Sequence, residues 1–129
     1  MSIPIPEDIA EILRQPVFVH LATVDPDGGP HVSAMWMDVE GDRIVFSTAE
    51  GRAKLRNLRH DPRVAVSLTA PGAPYHNIVI RGRAVVIEPR GFGLIDRLAH
   101  KYTGSDRYEW APEGQVRVDV EIEVDRISG

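Results

Sequence analysis

Residues 115–124, QVRVDVEIEV, alternate without a break. Val116, Val118, Val120, Ile122 and Val124 fall on one side, and Gln115, Arg117, Asp119, Glu121 and Glu123 on the other. A period of two sustained over this length predicts a strand with one buried and one wet face, the pattern of antiparallel sheets. The chain must supply partners for it. Residues 17–24 (VFVHLATV) form an apolar, β-branched run that predicts a strand buried on both sides, with His20 as a core histidine. The turn signal Asp25-Pro26-Asp27-Gly28-Gly29-Pro30 leads into 31–38 (HVSAMWMD), and Gly41-Asp42 leads into 43–48 (RIVFST). Residues 63–69 and 76–88 complete the set, with Gly82 marking a bulge or bend in the longer strand.

Helical periodicity is confined to 6–14, 52–60 and 91–102. Six strands with three short helices are too many for a parallel α/β sheet, where each strand needs a crossover connection. The expected fold is mainly β, a six-stranded antiparallel barrel that closes its own edges. A length of 129 residues fits one domain over 1–129.

Composition removes several function classes. There is no cysteine, so disulfides, thiolate metal sites and a cysteine nucleophile are excluded. A net charge of -4 gives no general basic field for nucleic acid. No apolar run reaches the roughly 20 residues that span a bilayer, so no membrane partner is expected. The first residues lack a charged, then apolar, leader, and a cytoplasmic location is expected. The five histidines show no metal-ligand spacing, and no metal is expected. No nucleophile-elbow, Walker or dinucleotide-binding glycine pattern occurs.

One segment is electrostatically odd. Arg52, Lys54, Arg56, Arg59 and Arg63 crowd the 52–60 helix and its exit, with Asp61 as the local acid. Arg52 and Lys54 fall in its first turn, where the helix dipole is positive and a cation costs about 0.3–1 kcal/mol. Ser47, Thr48 and Gly51 precede them, supplying hydroxyls and a pliant backbone. Free N–H groups, hydroxyls and two cations make a phosphate cradle. A solvated basic helix paired with acids elsewhere is the alternative. On 31–38, small polar residues stand beside Met35 and Trp36, which suits a platform for a flat ring or simply core packing.

Five runs together, VFVHLATVDPDGGPHVSAMW, IVFSTAEGRAKLRNLRHDPRVAVSL, IRGRAVV, KYTGSDRY and RVDVEIEVDRISG, resemble the pyridoxamine 5′-phosphate oxidase-like split β-barrel proteins, and most of all their coenzyme F420 (deazaflavin) branch. The most specific piece is RAKLRNLRHDPRV. The resemblance implies an FMN-binding split barrel and a homodimer with cofactor between two barrels. It implies that Thr48, Arg52 and Lys54 contact the phosphate, that Asn57 supports the helix, and that Ser33, Met35 and Trp36 lie against the ring system. It implies hydride transfer from a reduced deazaflavin to an unsaturated small molecule, with no dedicated catalytic side chain. Tyr75, His76 or water would donate the proton. FMN as the cofactor, or cofactor binding without turnover, are the alternatives. The chain ends at Gly129 without the extended substrate motif of true pyridoxamine phosphate oxidases.

Overall fold

The computed structural model describes residues 2–128. Helix α1 spans Glu7–Arg14. Strands β1 (Val19–Val24) and β2 (Pro30–Met35) form a hairpin, followed by β3 (Asp38–Glu40) and β4 (Arg43–Ala49). Helix α2 is Ala53–His60, β5 is Arg63–Ala70 and β6 is Ala73–Glu88. Helix α3 (Gly93–Thr103) and β7 (Arg117–Ser128) complete the chain. The strands form one sheet in the order β2-β1-β5-β6-β7-β4-β3, and the pairings are antiparallel. This is the split barrel.

Seven strands form where six were expected, because 31–38 is not one strand. β2 pairs with β1 at one edge of the sheet, and β3 pairs with β4 at the other. Trp36 and Met37 carry the chain between those edges, which curls the sheet into a barrel.

The inner face is apolar. Leu21, Phe46, Val66, Ile80, Val120 and Ile122 come from five different strands and are fully buried in one core, which α1 caps with Ile9, Ala10 and Leu13. β4 is buried on both sides: Ile44 and Phe46 join the core, while Val45 packs against Leu94 and Leu98 of α3. The bulge at Gly82 is present as a register shift against β7. Its cause is close approach, since a Cβ on Gly82 would collide with the Glu123 carbonyl oxygen.

Two burial expectations are corrected. β1 alternates, and His20 is exposed on its outer face instead of sitting in the core. On β7, Val116 precedes the strand and is exposed, whereas Arg117 and Asp119, on the face expected to be wet, are buried. The segment after α3 folds back over that end of β7: the Arg117 guanidinium lies 5.0 Å from the Tyr108 ring centre. Among the described residues, no helix is long and apolar enough to cross a membrane.

Candidate functional site

A cavity of about 310 Å³ opens where β4 ends, α2 begins and α3 crosses. Its polar end is set by the turn after β4. The Arg52 N–H donates to the Ala49 carbonyl at 3.2 Å, and Gly51 takes the positive φ of 92° that closes this turn. The turn leaves Ser47 and Thr48 on the last residues of the strand and brings Arg52 and Lys54 to the start of α2. No side chain caps α2, and its first turn holds no acid. Its leading N–H groups therefore lie beside cations and hydroxyls, with no acid in that turn.

A third cation arrives from β7. The pairing of β4 with β7 sets Ala49 opposite Arg117 and Ser47 opposite Asp119. The Arg117 Nε donates to Ser47 Oγ at 3.2 Å, and its Nη1 donates to Gln115 Oε1 at 3.1 Å. Among the described residues, no acidic side chain lines the cavity. Burial pushes the Lys54 ammonium below its ordinary pKa, and the charges of Arg52 and Arg117 push it further. Burial likewise lowers Arg117. Three positive groups held together in a partly desolvated cavity are short of an anion.

Two other cations of the α2 segment, Arg59 and Arg63, are neutralised, which corrects the expectation that Asp61 alone opposes the cluster. Arg59 forks onto Glu50 with bonds of 2.9 and 2.6 Å. Arg63 binds Asp61, and its guanidinium holds that carboxyl down at about 2.

The rest of the lining is apolar and aromatic, formed by Met35, Trp36, Phe18, Ile95 and Tyr108, the last in contact with the Arg117 guanidinium. The Trp36 ring stacks on Tyr102 at 5.4 Å and 15°, and meets Tyr108 edge-on at 6.2 Å. Trp110 joins this group from the 103–114 loop and is 58% exposed.

Six of the eight residues singled out in the sequence thus line one cavity: Met35, Trp36, Ser47, Thr48, Arg52 and Lys54. The other two lie elsewhere. Asn57 is fully buried and donates to Thr23 Oγ1 at 3.0 Å and Asp25 Oδ1 at 2.8 Å, tying α2 to the end of β1. Ser33 lies on β2 outside the cavity lining, and its hydroxyl is buried without a partner. Tyr75 and His76 are exposed on β6 and do not line the cavity. The sequence reading missed Arg117 and Phe18. Arg117 stands out in sequence only as the one cation among the acids of its strand face.

The model of the pyridoxamine 5′-phosphate oxidase family matches residues 5–128. A solved F420 reductase is 31% identical, superposes with a TM-score of 0.78, and the match covers 96% of this chain and 98% of that one. A conserved hypothetical protein of Mycobacterium tuberculosis is 27% identical with a TM-score of 0.71, covering 98% and 84% of the two chains. General Stress Protein 26 of Bacillus anthracis shares the fold at 24% identity and a TM-score of 0.66, covering 94% and 89%.

Proposed function

The chain belongs to the pyridoxamine 5′-phosphate oxidase family, and from that premise we propose that it is an oxidoreductase that binds coenzyme F420 in the β4–α2 cavity. The observation that carries the reading is the convergence of Arg52, Lys54 and Arg117 on a cavity whose described lining holds no acid and is otherwise largely apolar and aromatic. A phosphate monoester or diester joined to a flat ring combines the same two chemistries. The likeness to an F420 reductase over nearly the whole of both chains supports the deazaflavin over FMN.

The fit rests on donors that lack acceptors. Arg52 and Lys54 supply charge at the phosphate position, the first N–H groups of α2 supply hydrogen bonds, and the Ser47 and Thr48 hydroxyls complete the cradle. Arg117, held in orientation by Ser47 and Gln115, adds a third charge from the side. Met35 and Trp36 form a wall for the ring, and Tyr108 closes over the Arg117 side. Asn57 acts indirectly by fixing α2 against β1. Ser33 is the weakest member of the expected set, because a second copy or a shift of β2 would have to bring it to the ring.

When bound, the reduced deazaflavin supplies a hydride for an unsaturated small-molecule acceptor. The chain's own part is to bind, orient and exclude water. No side chain lining the cavity is required as an acid or base, and water is the simplest proton source.

The working form is a homodimer in the cytoplasm. Phe18 is 82% exposed at the cavity mouth, and Val32 and Ala34 are exposed on the same edge strand, which suits cover by a second copy. The test is titration of purified protein with coenzyme F420 and, separately, FMN. Dissociation constants far below millimolar for the deazaflavin support the proposal. Binding no tighter than millimolar overturns it, and tight binding of FMN alone moves the reading to a flavoprotein. Tight binding without hydride transfer to any enone or quinone acceptor would leave a cofactor-binding protein.

A further inference from the structure

We propose that Tyr102 is a positioning residue that sets the gap between the two aromatic walls of the cavity, with Lys101 as its helper. The inference rests on the reading above for the identity of the ligand, and not for the geometry.

Trp36 and Met37 are the step by which the chain leaves one sheet edge for the other, so strand pairing does not serve the backbone of Met37 there. Met37 is nevertheless fully buried. Side chains at the end of α3 take the place of a strand. The Met37 N–H donates to Tyr102 Oη at 3.2 Å, and Lys101 Nζ donates to the Met37 carbonyl at 2.6 Å. The single proton of the Tyr102 hydroxyl reaches the Val17 carbonyl at 2.9 Å. Lys101 also donates to the Leu13 carbonyl at the end of α1.

These bonds end next door to the cavity on both sides. Met37 follows Trp36, and Val17 precedes Phe18; both aromatic residues line the cavity. The Tyr102 ring, in turn, is stacked under Trp36. One phenol therefore fixes the backbone of both walls and the tilt of one ring. The phosphate end, on the β4–α2 turn and β7, is outside this network. Loss of the hydroxyl should loosen the ring end of the site and leave the anion end as it was.

The test uses Tyr102→Phe, which keeps the stacked ring and removes the bonds. In a Trp110→Phe background Trp36 is the remaining tryptophan. Tyr102→Phe is expected to shift its emission to the red and raise its quenching by acrylamide, with a cooperative melt retained. The dissociation constant for coenzyme F420 is expected to rise about tenfold, while that for inorganic phosphate does not change. Lys54→Ala is expected to weaken both ligands. Lys101→Met, which removes the ammonium from the Met37 and Leu13 carbonyls and leaves the phenol, should reproduce the change in Trp36 and decides the matter if Tyr102→Phe does not fold. Unaltered Trp36 quenching, or equal losses for phosphate and cofactor in Tyr102→Phe, would overturn the proposal. A wild-type protein that ignores coenzyme F420 removes the functional reading instead, and the Trp36 signal still decides the role of Tyr102.

Discussion

Lys54 and Arg117 are charged side chains in surroundings that disfavour charge. Each is pulled down by burial, and each feels like charge from Arg52. A bound phosphate reverses that balance. Lys54→Ala is expected to weaken cofactor binding by about 1.5–3 kcal/mol, the size of a charge-assisted contact, with the fold intact; isothermal titration checks it, and unchanged affinity refutes the phosphate role. The pH dependence follows from the sign of the shift. An anion favours the protonated amine, so phosphate affinity should fall as pH rises through the Lys54 pKa, which lies below its ordinary 10.5. Lys54→Arg should flatten that profile. Stability of the free protein runs the other way: with the folded pKa below the unfolded one, the unfolded chain binds more protons, and the Lys54 contribution rises with pH across the same window. Lys54 was legible in sequence because a cation at a helix start is a local oddity. Arg117 was not, because its meeting with Ser47 depends on a strand pairing between residues 70 positions apart.

At the scale of elements, two features shape the site. The first is the break at Trp36 and Met37, which turns one expected strand into two edge strands. Periodicity does not reveal it, since residues 31–38 continue to read as a strand while the hydrogen bonds of Met37 go to α3. The second is the crossing of β6 over β7 at Gly82. A methyl group there meets the Glu123 carbonyl and the Ile122 side chain at 3.0 Å. Gly82→Ala is therefore expected to destabilise the protein by about 1–3 kcal/mol through overpacking. Urea unfolding measures it, and a change in unfolding free energy below a few tenths of a kcal/mol would show that the strands part without strain. This bulge was legible in sequence because glycine interrupts an otherwise β-branched run.

For the whole molecule, the outer face of β1 and β2 carries exposed apolar side chains. Phe18, Val32 and Ala34 lie there, and Phe18 also lines the cavity. If a second copy completes the site, sedimentation should give a dimer, and Val32→Glu should yield monomers with weakened cofactor binding although position 32 does not line the cavity. A folded monomer with undiminished binding would show that one chain suffices.

The sequence by itself determined the class of fold and the clustering of cations and hydroxyls where β4 meets α2. Alternation along β7 and the count of strands against helices follow from local periodicity, and the cation-rich helix start after Ser47 and Thr48 is a local electrostatic fact. Tertiary structure alone decided that Arg59 and Arg63 are neutralised, that Arg117 joins Lys54, and that Ser33 and Asn57 lie away from the cavity. It also decided that Tyr102 stands beneath Trp36. These are matters of register and of which groups meet across the barrel, and register is set by the packing of a closed sheet. A chain's own periodicity says which face of a strand is buried, and only closure of the barrel says what that face is buried against.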